Sequence, residues 1–343
     1  MRRVHQGLVK ATVAAIATWL VPAMAWAQNN AAEPLAITPK GLAPAFPAKS
    51  VRYVVTFAAG AAPDIVARIL ADRLSRVWGQ QMIVENRVGV AGLLGAASVA
   101  KAPPDGYTLV QCNVGTNAIA MSLYAKLPFD QLRDFAPVTR IGTTANLIVV
   151  HPSVPFKTIK EFVAYARAHP GKLSFSAGLA GTSPPLSMEL LKLIEKIDVV
   201  HIPYKAGPQG VTDTVGGQVP IGVYNVPSLV AHIQAGRLRG LAVTSAKRVP
   251  QLPEVPTMLE SGVPDYVVTS WYGVCAPAAT PVAVLDKLNA DFGAVLRTPE
   301  VQRRLDELVV HAAPTTRGEF DQFIRSEISR WGKVIKDARI PQQ

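Results

Sequence analysis

Cysteine is nearly absent from this sequence: Cys112 and Cys275 are the two in 343 residues. That excludes a cysteine-built metal centre and a small scaffold knit by disulfides. Both lie in β-like runs, where an exported chain either oxidises the pair into one bridge or keeps two buried thiols; the sequence leaves both open. Histidine is sparse as well. Its six copies are scattered, and no H-E-x-x-H sets two of them on one helical face. There is no G-x-x-x-x-G-K-[ST] phosphate loop and no G-x-S-x-G nucleophile elbow. Gly89, Gly92 and Gly95 follow a G-x-x-G-x-x-G spacing, which is not the dinucleotide fingerprint. Acidic residues near the strand-to-helix turns are too few to nominate a general acid and base. No catalytic residue, metal or cofactor is therefore expected. Lysine and arginine form no stripe interleaved with aromatics, so no nucleic acid partner is expected either. After residue 27 no apolar run approaches the about 20 residues that a membrane span requires.

What is present is apolar. Hydrophobic residues make up 49% and charged residues 17%, enough for one large core or two smaller ones. The first 27 residues read as a secretory leader. Arg2, Arg3 and Lys10 supply a positive start, Ala11 to Met24 is apolar, and Ala25-Trp26-Ala27 is an A-x-A cleavage site. The rival is an uncleaved anchor, which Pro22 and the A-x-A end disfavour. Residues 28–48 are rich in Ala, Pro and Asn and read as a flexible mature N-terminus. The formal net charge of +11 suits anionic partners, or serves solubility alone.

From Val51 onward, short apolar strands alternate with segments of helical periodicity. Ile65, Val66, Ile69, Leu70, Leu74 and Val77 recur at helical spacing behind the strand Val51–Phe57. This alternation implies βαβ units, with mainly parallel sheets flanked by helices: an α/β fold.

The turn between that first strand and helix, FAAGAAPD, carries almost no side-chain chemistry. In open α/β sheets, ligands meet the carboxyl ends of strands. The first N–H groups of a helix lack internal partners and carry the positive end of its dipole, so a carboxylate or phosphate can settle there. Ala59, Gly60, Ala61 and Ala62 let such a group reach the backbone, and Gly60 tolerates φ > 0 if the turn demands it. Asp64 supports the opposite reading. A carboxylate in the first turn complements the dipole by itself, and Arg68 stands four residues on as its partner. A second turn of the same kind runs from Ser176, Ala177 and Gly178 through Gly181, Thr182 and Ser183 into a helix begun by prolines. Its hydroxyls either donate to a carboxylate or cap the helix.

Several stretches resemble the Bug receptors, the solute-binding components of tripartite tricarboxylate transporters: VENRVGVAG (84–92), PPDGYTL (103–109), HIPYKAGPQG (201–210), LAVTSAKR with PQLPEVPT (241–257), and SWYGVCAPAATP (270–281). The resemblance covers nearly the whole mature chain. It implies a periplasmic two-domain clamp of the binding-protein type, released by a cleaved signal peptide and monomeric. Domain 1 would comprise residues 49–151 and 268–343, and domain 2 residues 152–267. A small carboxylate would be held in the cleft largely by backbone groups and delivered to membrane transporter subunits. The same closed form would also suit presentation to a membrane sensor kinase, and an enzyme using the cleft is a third reading. Carried over residue by residue, the site comprises Phe57 to Asp64 and Ser176 to Ser183, with Gly115, Thr116, Asn117, Tyr204, Tyr224, Asn225, Ser270, Trp271 and Tyr272 facing the cleft. Ala59-Gly60-Ala61 stands where the family commonly has Pro-Gly-Gly, and Tyr224 where an acid is frequent. Without that acid a ligand's amino group has no partner, so a carboxylate lacking a positive amine, aromatic or aliphatic, is expected.

Overall fold

The computed structural model describes residues 46–343, except Ala206 and the side chain of Val90. The leader at 1–27 and nearly all of the 28–48 segment lie outside the described residues.

Strand β1 (Val51–Val55) is β-branched and buried on both faces. It leads to helix α1 (Ala62–Trp78), which starts with Pro63 in its first turn and stops at Gly79 with φ 62°. Val66, Ile69, Leu70 and Leu74 of α1 are buried against the sheet, as the helical spacing predicts. β2 (Met82–Asn86), α2 (Leu93–Ala100) and β3 (Thr108–Asn113) complete two parallel units, with β1 paired to both β2 and β3. Two short helices, α3 (Ala120–Leu123) and α4 (Gln131–Asp134), lead into β4 (Phe135–Val150).

A second set of parallel units follows: α5 (Ile159–Ala168), β5 (Leu173–Ala177), α6 (Ser183–Glu195), β6 (Val199–Pro203), α7 (Gly207–Val215) and β7 (Ile221–Asn225). Here β5 pairs in parallel with both β6 and β7. Then come α8 (Val230–Gln234), β8 (Arg239–Val243), β9 (Thr269–Pro277), α9 (Val282–Leu296), α10 (Pro299–Glu307), β10 (His311–Ala312) and α11 (Arg317–Asp337). Thr316 and Glu319 start α11 with a reciprocal capping box.

The strands run in the order β2-β1-β3-β9-β4-β7-β5-β6. Parallel pairing is confined to the two outer groups. β9 and β4 run antiparallel to their neighbours, so the sheet is mixed. β4 is the shared element. Phe135 to Ala145 pairs with β9, and Asn146 to Val150 pairs with β7 and β8. β1 to β3, β9 and β10 come from the two ends of the chain, and β5 to β8 from its middle. Cys112 on β3 and Cys275 on β9 are joined by a disulfide across 163 residues, with both side chains fully buried.

Candidate functional site

A cavity of about 300 Å³ opens where the two strand groups meet. Its walls come from six places. The carboxyl end of β1 supplies Thr56, Phe57 and Ala58; the loop before α2 supplies Val88, Gly89, Ala91 and Gly92. The end of β3 supplies Asn113, Val114 and Gly115; the start of α6 supplies Gly181, Thr182, Ser183 and Pro184. Asn225, Ser270 and Tyr272 come from β7 and β9. No wall residue is Asp, Glu, Lys, Arg or His.

Two uncharged hydrogen-bond networks shape it. On one side the Asn113 amide joins three segments. Its Nδ2 donates to Thr56 Oγ1 (3.2 Å) and Thr116 Oγ1 (3.1 Å), while its Oδ1 accepts from the N–H groups of Gly115 (3.0 Å) and Thr116 (3.1 Å). Gly92, at φ 88°, lets the start of α2 pack onto this cluster; a Cβ there would sit 2.7 Å from Thr56 Cβ. On the other side Ser183 Oγ and Ser270 Oγ are 2.5 Å apart, and Asn225 Nδ2 donates to Ser270 Oγ (2.8 Å) and Asn146 Oδ1 (2.8 Å). These bonds tie the α6 start to both strands that join the halves. The halves also meet directly at glycine, since a Cβ on Gly115 would lie 2.8 Å from the Gly181 carbonyl oxygen. Phe57 and Tyr272 form an edge-to-face pair at 6.3 Å, and burial pushes the Tyr272 phenol up to about 12.

The donors are main-chain. Among the described residues, the N–H groups of Ala58, Gly181 and Ser183 have no protein acceptor. Pro184 and Pro185 lack an N–H, so Ser183 is the free donor at the start of α6, and that first turn holds no acid.

The expected residues divide sharply. Phe57, Ala58, Gly115, Gly181, Thr182, Ser183, Asn225, Ser270 and Tyr272 line the cavity, and Thr116 braces its wall through Asn113. Ala59, Gly60, Ala61 and Ala62 lie off its walls, although Gly60 does take φ 81°. Asp64 is a correction: it is consumed by structure. Its carboxylate accepts from Gly60 N (2.8 Å), Arg68 Nε (3.0 Å) and Asn86 Nδ2 (2.8 Å). Burial raises its pKa, but the bonds from Arg68, Gly60 and Asn86 and the Arg68 charge outweigh this and leave it below the usual carboxylate value. Asn117 is likewise occupied, accepting from Asn113 N and donating to Gln131 Oε1. Ser176 bonds Thr214 Oγ1 at 2.7 Å in the core, and Ala177 and Gly178 are not on the walls. Tyr204 donates to Asp213 (2.6 Å), and Tyr224 is buried behind the wall, where burial pushes its phenol up to about 12. Trp271 is fully buried, its indole N–H on Glu327 Oε2 at 3.0 Å, and it packs against Phe320 and Phe323. Strand alternation explains this: Ser270 and Tyr272 face the cavity, so Trp271 faces away. The loop Val88–Gly92 was missed as a wall, though VENRVGVAG contains it.

Residues 66–340 match the family described as the tripartite tricarboxylate transporter family receptor. The chain belongs to that family. Among relatives of this receptor, BugT of Bordetella pertussis is 32% identical over 293 residues, covering 85% of this chain and 90% of BugT. A protein of R. palustris solved with adipate is 34% identical with a TM-score of 0.77, covering 87% of this receptor and 100% of that chain. MatC from Rhodopseudomonas palustris, solved with bound malate, is 31% identical with a TM-score of 0.72, covering 84% and 100%. No helix among the receptor's described residues is long and apolar enough to cross a membrane.

Proposed function

We propose that this chain is an exported, non-enzymatic receptor that captures a small carboxylate in the uncharged cavity, closes on it, and hands it to the membrane subunits of a tripartite transporter. The observation that carries this reading is the composition of the cavity wall. Glycine and alanine backbone, hydroxyls and amides converge there with no charged side chain. Such a wall holds an anion through several fixed N–H and O–H donors at once, each strengthened by the ligand's charge. The relatives solved with adipate and malate support the substrate class. The two strand groups act as lobes, 49–151 with 268–343 against 152–267, and β4 and β9 are the crossovers between them. No acid on the wall can pair an ammonium, which favours carboxylates without an amino group. Phe57 and Tyr272 offer an apolar flank for a carbon chain or ring.

A thermal-shift screen of mono-, di- and tricarboxylates, aromatic acids and amino acids tests this. A carboxylate at 100 times its Kd stabilises the fold by about 2.7 kcal/mol. Adipate- or malate-like acids are expected to raise Tm and amino acids to leave it unchanged. Failure of every carboxylate to move Tm, or tight binding of amino acids alone, overturns the reading.

A further inference from the structure

The groups on the cavity wall differ in what they offer a ligand. Main-chain N–H groups donate, and hydroxyls donate or accept, but a side-chain amide oxygen can only accept. Two such amides lie on the wall, Asn113 and Asn225. Asn113 Oδ1 is taken up by the N–H groups of Gly115 and Thr116. Asn225 Oδ1 accepts from no group among the described residues, and it does not cap the short turn that follows it, Val226–Ser228.

The orientation of the Asn225 amide is set from its other end. Both Nδ2 hydrogens are used inside the protein, one on Asn146 Oδ1 and one on Ser270 Oγ, each at 2.8 Å. Asn146 is fully buried and Ser270 is 6% exposed, so the nitrogen points inward. Asn225 itself is half-buried and lines the cavity. Asn146 Nδ2 is sealed away without a partner, whereas Asn225 Oδ1 is not sealed and stays open at the wall. Turning the Asn225 amide over by itself would set its oxygen against that of Asn146. An open oxygen that can only accept repels a carboxylate and calls for a donor from the ligand.

We propose that Asn225 is a specificity-determining residue whose Oδ1 accepts from a ligand hydroxyl beside the bound carboxylate, so that the receptor selects a 2-hydroxy acid over the same acid without the hydroxyl. This rests on the carboxylate reading above and narrows it. The carboxylate meets the unpartnered Ser183 N–H. Ser183 Oγ, Ser270 Oγ and Asn225 Nδ2 form one chain of bonds of 2.5 and 2.8 Å, which keeps that donor and the Asn225 acceptor within reach of neighbouring atoms of one ligand. A neutral oxygen does not offset the desolvation of an ammonium, so the matching 2-amino acid is not selected.

Calorimetry on the full mature protein with matched pairs tests this: lactate and propionate, 2-hydroxyglutarate and glutarate, mandelate and phenylacetate, together with each acid that binds in the thermal-shift screen and its 2-hydroxy or deoxy counterpart. In each pair that binds, the hydroxy acid is expected to be about tenfold tighter. Asn225→Ala is expected to weaken both members but to bring their ratio to within about twofold. A merely structural role would weaken both and leave the ratio alone. Asn225→Asp keeps an oxygen there and adds a charge. It is expected to lower hydroxy-acid affinity at least about tenfold by like-charge repulsion and to admit the matching amino acid, alanine, glutamate or phenylglycine. Equal affinity within the pairs means that the Asn225 and Asn146 amides are turned over together, with Nδ2 toward the ligand, and overturns the proposal. A preference for the hydroxy acid that survives in Asn225→Ala overturns it as well. Both results leave the carboxylate reading standing. If no carboxylate binds here or in the thermal-shift screen, that reading fails and the proposal with it.

Discussion

The turn before α1 and the turn before α6 both run from a short strand through small residues into a helix with proline in its first turn. In the first, Asp64 folds back onto the Gly60 N–H and is itself held by Arg68 and Asn86, with its side chain only 2% exposed. In the second, the first turn carries no acid, two prolines remove N–H groups, and Ser183 faces the cavity. The difference teaches what a bare turn means. Small residues grant access to a helix start, but a carboxylate of the chain's own at the third position takes that place. What lines the cavity there is the strand end just before the turn, Thr56 to Ala58.

The comparison can be broken by exchanging which turn carries structure and which carries ligand. Asp64→Ala leaves the Gly60 N–H, the Asn86 amide and Arg68 without their acceptor, and should cost about 2–4 kcal/mol in urea unfolding. Carboxylate affinity in calorimetry should stay within about twofold, because Asp64 touches no cavity wall. Gly115→Val forces side-chain atoms onto the Gly181 carbonyl where the halves meet, and about 2 kcal/mol of overpacking should appear chiefly as lost affinity, at least tenfold. Ser183→Ala removes the bonds to Ser270 and Asn146 and should cost about 1 kcal/mol, lowering affinity several-fold at unchanged fold.

The smallest effect is in pH. Outweighing its burial, the bonds from Arg68, Gly60 and Asn86 hold the folded Asp64 pKa below the usual carboxylate value. Its contribution is therefore complete at neutral pH and declines as pH falls below the unfolded value and through the folded one. Asp64→Asn should be less stable than wild type at pH 7, and the gap between them should narrow in acid unfolding curves below about pH 4. A constant gap across that range would show that Asp64 is not the charged cap described.

Much of the frame was readable in the sequence because it rests on periodicity. α1, α5 and α9 end close to where Gly79, Pro170 and Thr298 predict. Only the part of β4 from Ala145 onward is a continuous strand-like run; Pro137, Gly142 and the polar threonines between them disguise its first ten residues, and two bulges there absorb the irregularity. α7 carries no clear helical signature in the sequence, because Gly207, Pro208 and Gly210 fall inside it. Gly210 is there for close approach, since a Cβ would strike the Tyr224 hydroxyl and the Tyr204 ring. At the site, the small residues at 58–62 and 181–183 mark two bare turns, but only Ala58 of the first turn lines the cavity. The side-chain roles were not legible, because they depend on register. A shift of one residue along β9 separates Ser270, in the cavity, from Trp271, in the core. Whether Cys112 and Cys275 pair was likewise undecidable until the topology set β3 beside β9.

That neighbour relation bears on how the molecule is made. β3 has β1 on one edge and β9 on the other, yet the ribosome delivers Cys275 only 163 residues after Cys112. Until then one edge of β3 presents bare amides and carbonyls to whatever strand comes by, the condition under which chains pair with the wrong partner. Oxidation of the thiol pair thus reports that β9 has reached its place beside β3.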